Sequence, residues 1–273
     1  MAKYNKLAGK HVVVIGGTRG IGRGVVEAAL ESQARVTLAG STQASADAAV
    51  ASILAAYPEA GARLAGLGCD LSRPATVEQD LDALLTRAAA LAGGAVAGID
   101  HVVYTAADRL ALGGLQDVTP EAALAAAHMR FTVPLMVGKV AQRHLAGAVP
   151  GEGGRDDKSL VLTTGSIASK PSPGWSINAY FGAGLKGLTR NLALDLSPIR
   201  VNAVEPGVVD TGLWDASYAG AEARAAGLRA LVGAAPVGRP AAVEEVAEAY
   251  MYLLRDSNAT GEVVQTRGGN HLV

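Results

Sequence analysis

Short, almost wholly apolar runs separated by longer helical stretches recur along the chain, and this alternation limits the possible folds more than any other feature. "HVVVIGG" (11–17), "ARVTLAG" (34–40), part of "ARLAGLGCDL" (62–71), "IDHVVYTAA" (99–107), "KSLVLTTGS" (158–166), "IRVNAVEPG" (199–207) and "GEVVQTRGG" (261–269) read as strands. Helical patterns fill 21–32, 45–57, 77–92, 120–145, 178–196 and 243–255, with Pro134 expected near a bend. Strands without polar alternation are buried on both faces, and strands that alternate with helices need crossover connections. The expectation is an α/β fold: a Rossmann-type doubly wound parallel sheet of about seven strands, helices on both faces, and right-handed crossovers. With no internal repeat and no linker between two cores, residues 1–273 read as a single domain.

Composition narrows the function classes. A formal net charge of −1 gives no electrostatic footprint for nucleic acid or a membrane surface. The lone Cys69 excludes an intrachain disulfide and fits a reducing compartment. No uncharged apolar run reaches the ~18–20 residues that span a bilayer, and "MAKYNKLAGKH" has no apolar segment after its lysines, so a soluble cytoplasmic protein is expected. Aromatic residues make up 4%, which leaves Ala, Val, Leu and Ile to build the core and permits close helix–sheet packing. Two segments stand outside the alternation. Residues 146–157 read as an exposed loop. Residues 212–235 are weakly amphipathic and follow a strand's C-terminal end, where such sheets bind ligands; they read as a substrate lid, with an inert surface insertion as the alternative.

"GGTRGIG" (16–22) joins the first strand to the first helix, with Gly16, Gly20 and Gly22 in a G-x3-G-x-G spacing around Thr18, Arg19 and Ile21. A tight turn, a close backbone approach to pyrophosphate and a helix N-terminus aimed at the anion all need small residues at this spacing. The reading is dinucleotide binding; the alternative is a tight turn without a ligand. An NAD site usually carries an acid at the end of the second strand. Here the chain reads "LAGST" (38–42). Ser41 and Thr42 can hydrogen-bond a 2′-phosphate and Arg19 can pair with its charge, so NADP(H) is favoured over NAD(H). Arg19 as a solvated loop cation is the competing view.

These segments together resemble the short-chain dehydrogenase/reductases from end to end. "GGTRGIG", "CDL" (69–71), "YTAA" (104–107), "TTGS" (163–166), "GLTRNLALDL" (187–196), "RVNAVEPGVVDT" (200–211) and "GRP" (238–240) carry the resemblance. It implies that Asp70, with Leu71, meets the adenine and that Ala106, with Thr105 and Ala107, lies along the adenosine ribose. Pro206 through Thr211, including Gly207 and Val209, would hold the nicotinamide carboxamide. No metal site is implied. By analogy with the family's subunit pairing, the two long helices at 120–145 and 178–196 suggest a homodimer or homotetramer.

The family's usual chemistry uses an Asn, a Ser, a Tyr and a Lys four residues after the Tyr. Ser166 matches the Ser, and "MRFTVP" puts Arg130 at the Asn position. Overlaying "AGLKGLTR" without a gap puts Asn178 at the tyrosine and Gly182 at the lysine. A rival register makes Tyr180 the tyrosine. Four residues on, about 40° around the helix, then stands Gly184; Lys186 is about 120° off that face and reads as a solvated helix lysine. Either register lacks the Tyr–Lys pair, and a tyrosine without the ammonium keeps a pKa near ~10.

A narrower resemblance runs through "TTGSIASKPSPGWS", "YTAAD" and "MRFTVP", to the fungal reductase-like proteins of prenylated indole alkaloid pathways, which reduce an intermediate with NADPH and then guide an intramolecular Diels–Alder cyclisation. It implies roles for Arg130 and for Trp175 as a pocket residue; the relatives' functional Asp falls at Ser172 here, which departs from their pattern. The readings for single residues stay open at this point: Arg130 as an electrophile-pocket charge or an ion-paired structural residue, Trp175 and Tyr180 as pocket walls or packing, and Ser166 as an oxygen ligand or a turn residue. Three functions follow in order. The first is an atypical NADP(H)-dependent oxidoreductase reducing a hydrophobic small metabolite at an imine, iminium or carbonyl carbon. The second is a redox-neutral cyclase or isomerase that retains NADP(H) as part of its site. The third is a non-catalytic cofactor-binding protein.

Overall fold

The computed structural model of the chain describes residues 3–91, 98–145 and 157–273. Seven strands form one sheet: β1 His11–Ile15, β2 Arg35–Gly40, β3 Leu64–Gly68, β4 His101–Tyr104, β5 Ser159–Thr163, β6 Arg200–Pro206 and β7 Val263–Thr266. Their order is β3-β2-β1-β4-β5-β6-β7, and every pairing is parallel. The order reverses between β1 and β4, which opens the crevice where ligands bind in such sheets.

Alternation along β1 shows why both faces are covered. Val12 and Val14 pack with α1 (Gly20–Glu31), α2 (Gln43–Ala56) and α8 (Val243–Arg255). Val13 and Ile15 point the other way, into a second core built with α3 (Val77–Leu91), α5 (Val133–His144) and α6 (Ser176–Asp195). Few aromatic residues are needed because small ones bring the layers together; a Cβ on Gly138 of α5 would lie 2.7 Å from Leu192 Cδ1 of α6.

The helix expected over 120–145 is three pieces. α4 (Pro120–Ala127) runs into a π-helical turn, His128–Thr132, and then into α5. Pro134 lacks the N–H that the Arg130 carbonyl would otherwise receive, so the regular ladder cannot continue across this point. Residues 212–235 are likewise not one helix: a 3₁₀ segment, Gly212–Ser217, precedes α7 (Ala221–Val232). The helix expected over 77–92 is described to Leu91. Of the loop expected over 146–157, only Asp157 falls within the described residues, and it forms an ion pair with Arg200 at 2.7 Å. Among the described residues no helix is long and apolar enough to cross a membrane.

Candidate active site

The C-terminal ends of the central strands open into a cavity of about 1080 Å³. Its nucleotide-side wall begins at the glycine turn. Gly16 has φ +93°, and an added Cβ would lie 2.5 Å from the Ala106 nitrogen, so the turn after β1 and the backbone after β4 touch through a residue without a side chain. Thr105 ties the same two turns together, its hydroxyl donating to the Ile15 carbonyl at 3.2 Å. α1 then starts at Gly20 with no side-chain cap from Arg19 and no acid in its first turn. Its first N–H groups are left for an anion, which the helix dipole also favours.

Sixteen of the seventeen residues read from the sequence as nucleotide ligands line this cavity: Gly16, Thr18, Arg19, Gly20, Ile21, Gly22, Ser41, Asp70, Leu71, Thr105, Ala106, Ala107, Pro206, Gly207, Val209 and Thr211. Thr42 does not. Its hydroxyl is used at the start of α2, accepting the Ser45 N–H at 3.1 Å. Ser45 lines the cavity in its place. The T-x-x-S spacing carried that capping signal in the sequence. Asp70 is held low in pKa, first by the Ser72 hydroxyl at 2.7 Å and then by the Ser72 N–H at 3.0 Å. Cys69, also on the wall, is pushed up to about 11 by burial, so its thiol is not a nucleophile at neutral pH.

On the opposite side, α6 presents Asn178, Phe181, Gly182 and Leu185 to the cavity, a spacing of one helix face. Tyr180 is off that face. It is 74% exposed, packs edge-on against Phe181 with centroids 5.1 Å apart, and does not reach the cavity, which corrects its assignment as a site residue. Lys186 also departs from expectation, because it is ion-paired and only partly exposed. Its amine pairs at 2.5 Å with Glu205, which is 0% exposed on β6 and meets Arg267 at 2.8 Å on its other oxygen. The phenol nearest the cavity, Tyr104, donates to the Met129 carbonyl at 3.2 Å, and burial holds it well above the ordinary tyrosine range.

Arg130 projects into the cavity from the π-helical turn and forms an ion pair at 2.5 Å with Asp108, while a second nitrogen donates to the Arg109 carbonyl. Burial pushes the Asp108 carboxyl up, and Arg130 beside it pulls it back. Arg130 therefore fixes the 108–109 loop and, with Asp108, lines the cavity. Ser166 opens a short 3₁₀ turn, Ser166–Ala168, on the cavity wall, where Ser172 also stands. Trp175, the residue that precedes α6, meets Trp214 of the 212–217 turn with centroids 6.2 Å apart and planes tilted by 56°. The indole N–H of Trp214 donates to the Val209 carbonyl at 2.9 Å. Arg224 of α7 ties this segment down through Asp210 and Asp215.

Sequence reasoning missed several residues of this wall, Lys170 and Asn178 among them. Lys170 donates to the carbonyl oxygens of Asn270 at 2.7 Å and Val273 at 2.6 Å. Nothing in its spacing marks a contact across a hundred residues. Asn178, singled out only as an occupant of the tyrosine position, donates from Nδ2 to the Ala111 carbonyl at 2.7 Å. The described residues hold no cluster of His, Cys, Asp or Glu able to bind a metal.

The profile of the SDR-like Rossmann domain matches residues 3–273. Relatives include the short-chain dehydrogenase/reductase fsr5 of Gibberella fujikuroi, 39% identical over 100% of this chain and 98% of its own length. The short-chain dehydrogenase/reductase malC of Malbranchea aurantiaca is 37% identical over 96% and 95%. Among solved structures, the MalC reductase/Diels-Alderase of Malbranchea aurantiaca matches with a TM-score of 0.84, 35% identity, and coverage of 99% of this chain and 98% of that one. A small-chain dehydrogenase in complex with NADPH matches with a TM-score of 0.72 at 25% identity, over 97% and 99%.

Proposed function

Because the chain belongs to the short-chain dehydrogenase/reductase family, we propose that it is an NADP(H)-dependent oxidoreductase of secondary metabolism that reduces a hydrophobic, aromatic, nitrogen-containing small molecule at an imine or iminium carbon. The observation that carries this reading is the cavity face of α6. Asn178 and Gly182 line it opposite a complete glycine turn, whereas Tyr180 and Lys186 of the same helix do not; the tyrosine and lysine that line the cavity, Tyr104 and Lys170, come from other segments. The uncapped start of α1 suits a pyrophosphate, and Arg19 and Ser41 suit a 2′-phosphate. When bound there, NADPH supplies a hydride and is left as NADP⁺. Reduction of a ketone forms an alkoxide that needs a proton, and positioned donors are typically worth ~10²–10⁴ in rate. Reduction of an iminium carbon does not: the new C–H bond forms, the C=N π pair moves to nitrogen, and a neutral amine results. Arg130 and Ser166 hold and polarise the substrate's oxygen functions without giving up a proton. Trp175 and Trp214 enclose its aromatic part.

The test is NADPH oxidation, followed by absorbance and product mass, with 3,4-dihydro-β-carbolinium and an aryl ketone of similar size. Reduction of the iminium at a rate well above the ketone is expected. Preferred ketone reduction overturns the reading. A redox-neutral cyclase is the second reading, supported by the likeness to the MalC reductase/Diels-Alderase; an isomeric product with unchanged NADPH would select it. We also expect two or four copies to associate through the outer faces of α4 and α6, which expose Leu124, Tyr180 and Leu194. Light scattering on the purified protein measures this.

A further inference from the structure

Arg130 is carried by a turn that cannot complete its own backbone bonding. In the π register each carbonyl accepts the N–H five residues on, and the Val133 N–H accordingly donates to the His128 carbonyl. The next carbonyl, that of Met129, would need an N–H from residue 134, which is proline. Val133, its α-register donor, is already taken by His128, so neither register supplies it. Met129 is half-buried against the core under α3, α5 and α6, where a carbonyl without a donor is costly. The donor comes from the sheet instead. The Tyr104 phenol reaches the Met129 carbonyl at 3.2 Å. Tyr104 ends β4, pairs with Ile15 of β1, is 3% exposed, and has its own carbonyl held by the Thr163 hydroxyl at 2.7 Å. On the preceding residue the His128 ring donates to the Leu71 carbonyl at 2.7 Å. The turn is thus tied to fixed structure at the two residues just before Arg130.

We propose that Tyr104 is a positioning residue for Arg130: its hydroxyl supplies the donor that Pro134 withholds from the Met129 carbonyl, and so fixes the π-helical turn in the geometry that sets the guanidinium against Asp108 on the cavity wall. Without that hydroxyl the carbonyl must find water or another N–H, the turn relaxes, and Arg130 leaves Asp108. The phenol is committed to this bond and not to proton transfer, since burial holds it well above the ordinary tyrosine range. Its effect on the ion pair follows from the geometry alone; its effect on turnover rests on the proposed reading of Arg130 as a ligand of substrate oxygen.

The test is a double-mutant cycle of Tyr104→Phe, which removes only the hydroxyl, with Arg130→Ala. Its first readout needs no substrate: the carboxyl ¹³C titration of Asp108 in the full chain labelled at aspartate, assigned with Asp108→Asn. Burial raises the Asp108 pKa and Arg130 lowers it, so Arg130→Ala should move the titration upward; His128, which also lowers it, is kept in all four proteins. Tyr104→Phe should move it in the same direction, and should add nothing once Arg130 is gone. An unmoved titration in Tyr104→Phe, or an equal further shift in the double variant, would overturn the proposal. The second readout is NADPH oxidation with 3,4-dihydro-β-carbolinium. Tyr104→Phe should lower kcat/KM roughly tenfold in the wild-type background, the scale of one unsatisfied buried carbonyl, and by less than about twofold in Arg130→Ala. Equal losses in both backgrounds would mean that the phenol acts on the substrate itself, and would overturn the positioning role. Retained NADPH affinity shows that the variants fold. A wild type that oxidises no NADPH sinks the proposed function, while the Asp108 titration still decides the role of Tyr104.

Discussion

Glu205→Gln tests the least expected feature near the site. Glu205 is fully buried on β6 and serves two cations, Lys186 at 2.5 Å and Arg267 at 2.8 Å, with the Ser169 hydroxyl donating at 3.2 Å. Glutamine keeps the shape and removes the charge. Lys186 is 24% exposed and can turn toward water, but the Arg267 side chain is 5% exposed, its Nε has no hydrogen-bond partner among the described residues, and it cannot. Breaking a buried pair by removing one partner costs about 3–5 kcal/mol, because the other charge stays buried and uncompensated. At about 2–4 °C per kcal/mol for a chain of this size, Tm should fall by about 6–20 °C. Lys186→Met should cost much less, since Arg267 still neutralises the carboxylate. Replacing all three with apolar residues of similar volume should recover most of the loss. Circular dichroism melts and urea midpoints, at one protein concentration, measure all three. A Glu205→Gln variant within about 2 °C of wild type, less than ~1 kcal/mol on that scale, would refute the reasoning. A Lys186→Met variant as damaged as Glu205→Gln would also do so.

Other outcomes follow from the same structure. Gly16→Ala forces a Cβ to 2.5 Å from the Ala106 nitrogen at φ +93°, so NADPH affinity by fluorescence titration should drop by about five- to a hundredfold, since ~1–3 kcal/mol of overpacking falls on the turn. Unchanged affinity would mean that the turn does not carry the nucleotide. Arg130→Ala should cut turnover by about a hundredfold or more, whereas Tyr180→Phe should leave it within about twofold, because only Arg130 lies on the cavity; a collapse in Tyr180→Phe alone would reverse that assignment. Buried His101, hydrogen-bonded to Ser159 at 2.9 Å, is pushed down from 6.5 to about 4 by burial. Between those values the unfolded chain binds a proton that the folded one does not, so lowering pH through this window removes up to about 3 kcal/mol of stability. Urea midpoints should therefore fall less steeply from pH 6.5 to 4 in His101→Gln than in wild type, and parallel slopes would exclude His101 as the cause.

What could be read from the chain, and what could not, divides by how local the signal is. The strands were legible because each is a short, mainly apolar run bounded by glycine or a polar turn, although the edge strands β3 and β7 are only partly buried. The register of α6 came from the resemblance of "AGLKGLTR" to the family; helical spacing adds only that 178 and 182 share a face, and both line the cavity while 180 does not. Thr42 was readable too, but its hydroxyl was assigned to a ligand when the adjacent helix start had the stronger claim. The partner of Lys186 was not legible. Glu205 lies in a strand buried along its whole length, and only tertiary packing brings the two together. The same holds for Lys170 and Asn270, and for Trp175 and Trp214, which meet through loops whose paths no periodicity describes. The π-helical turn carried one cue, Pro134, which indicated a disturbance but not that it would aim Arg130 at Asp108.

The glycine on the cavity face of α6 also governs how this site can change. A Cβ at Gly182 would meet Ala168 Cβ at 3.3 Å and Thr164 Oγ1 at 3.4 Å, so a lysine there must first displace neighbours. Without a phenol at 178 it would gain nothing for that displacement. A tyrosine at 178 without the lysine would keep a pKa near ~10 and lose the amide's grip on Ala111. Each half of the exchange is a loss until the other half is present. Installing a proton-relaying tyrosine and lysine at these two positions would therefore require both changes at once.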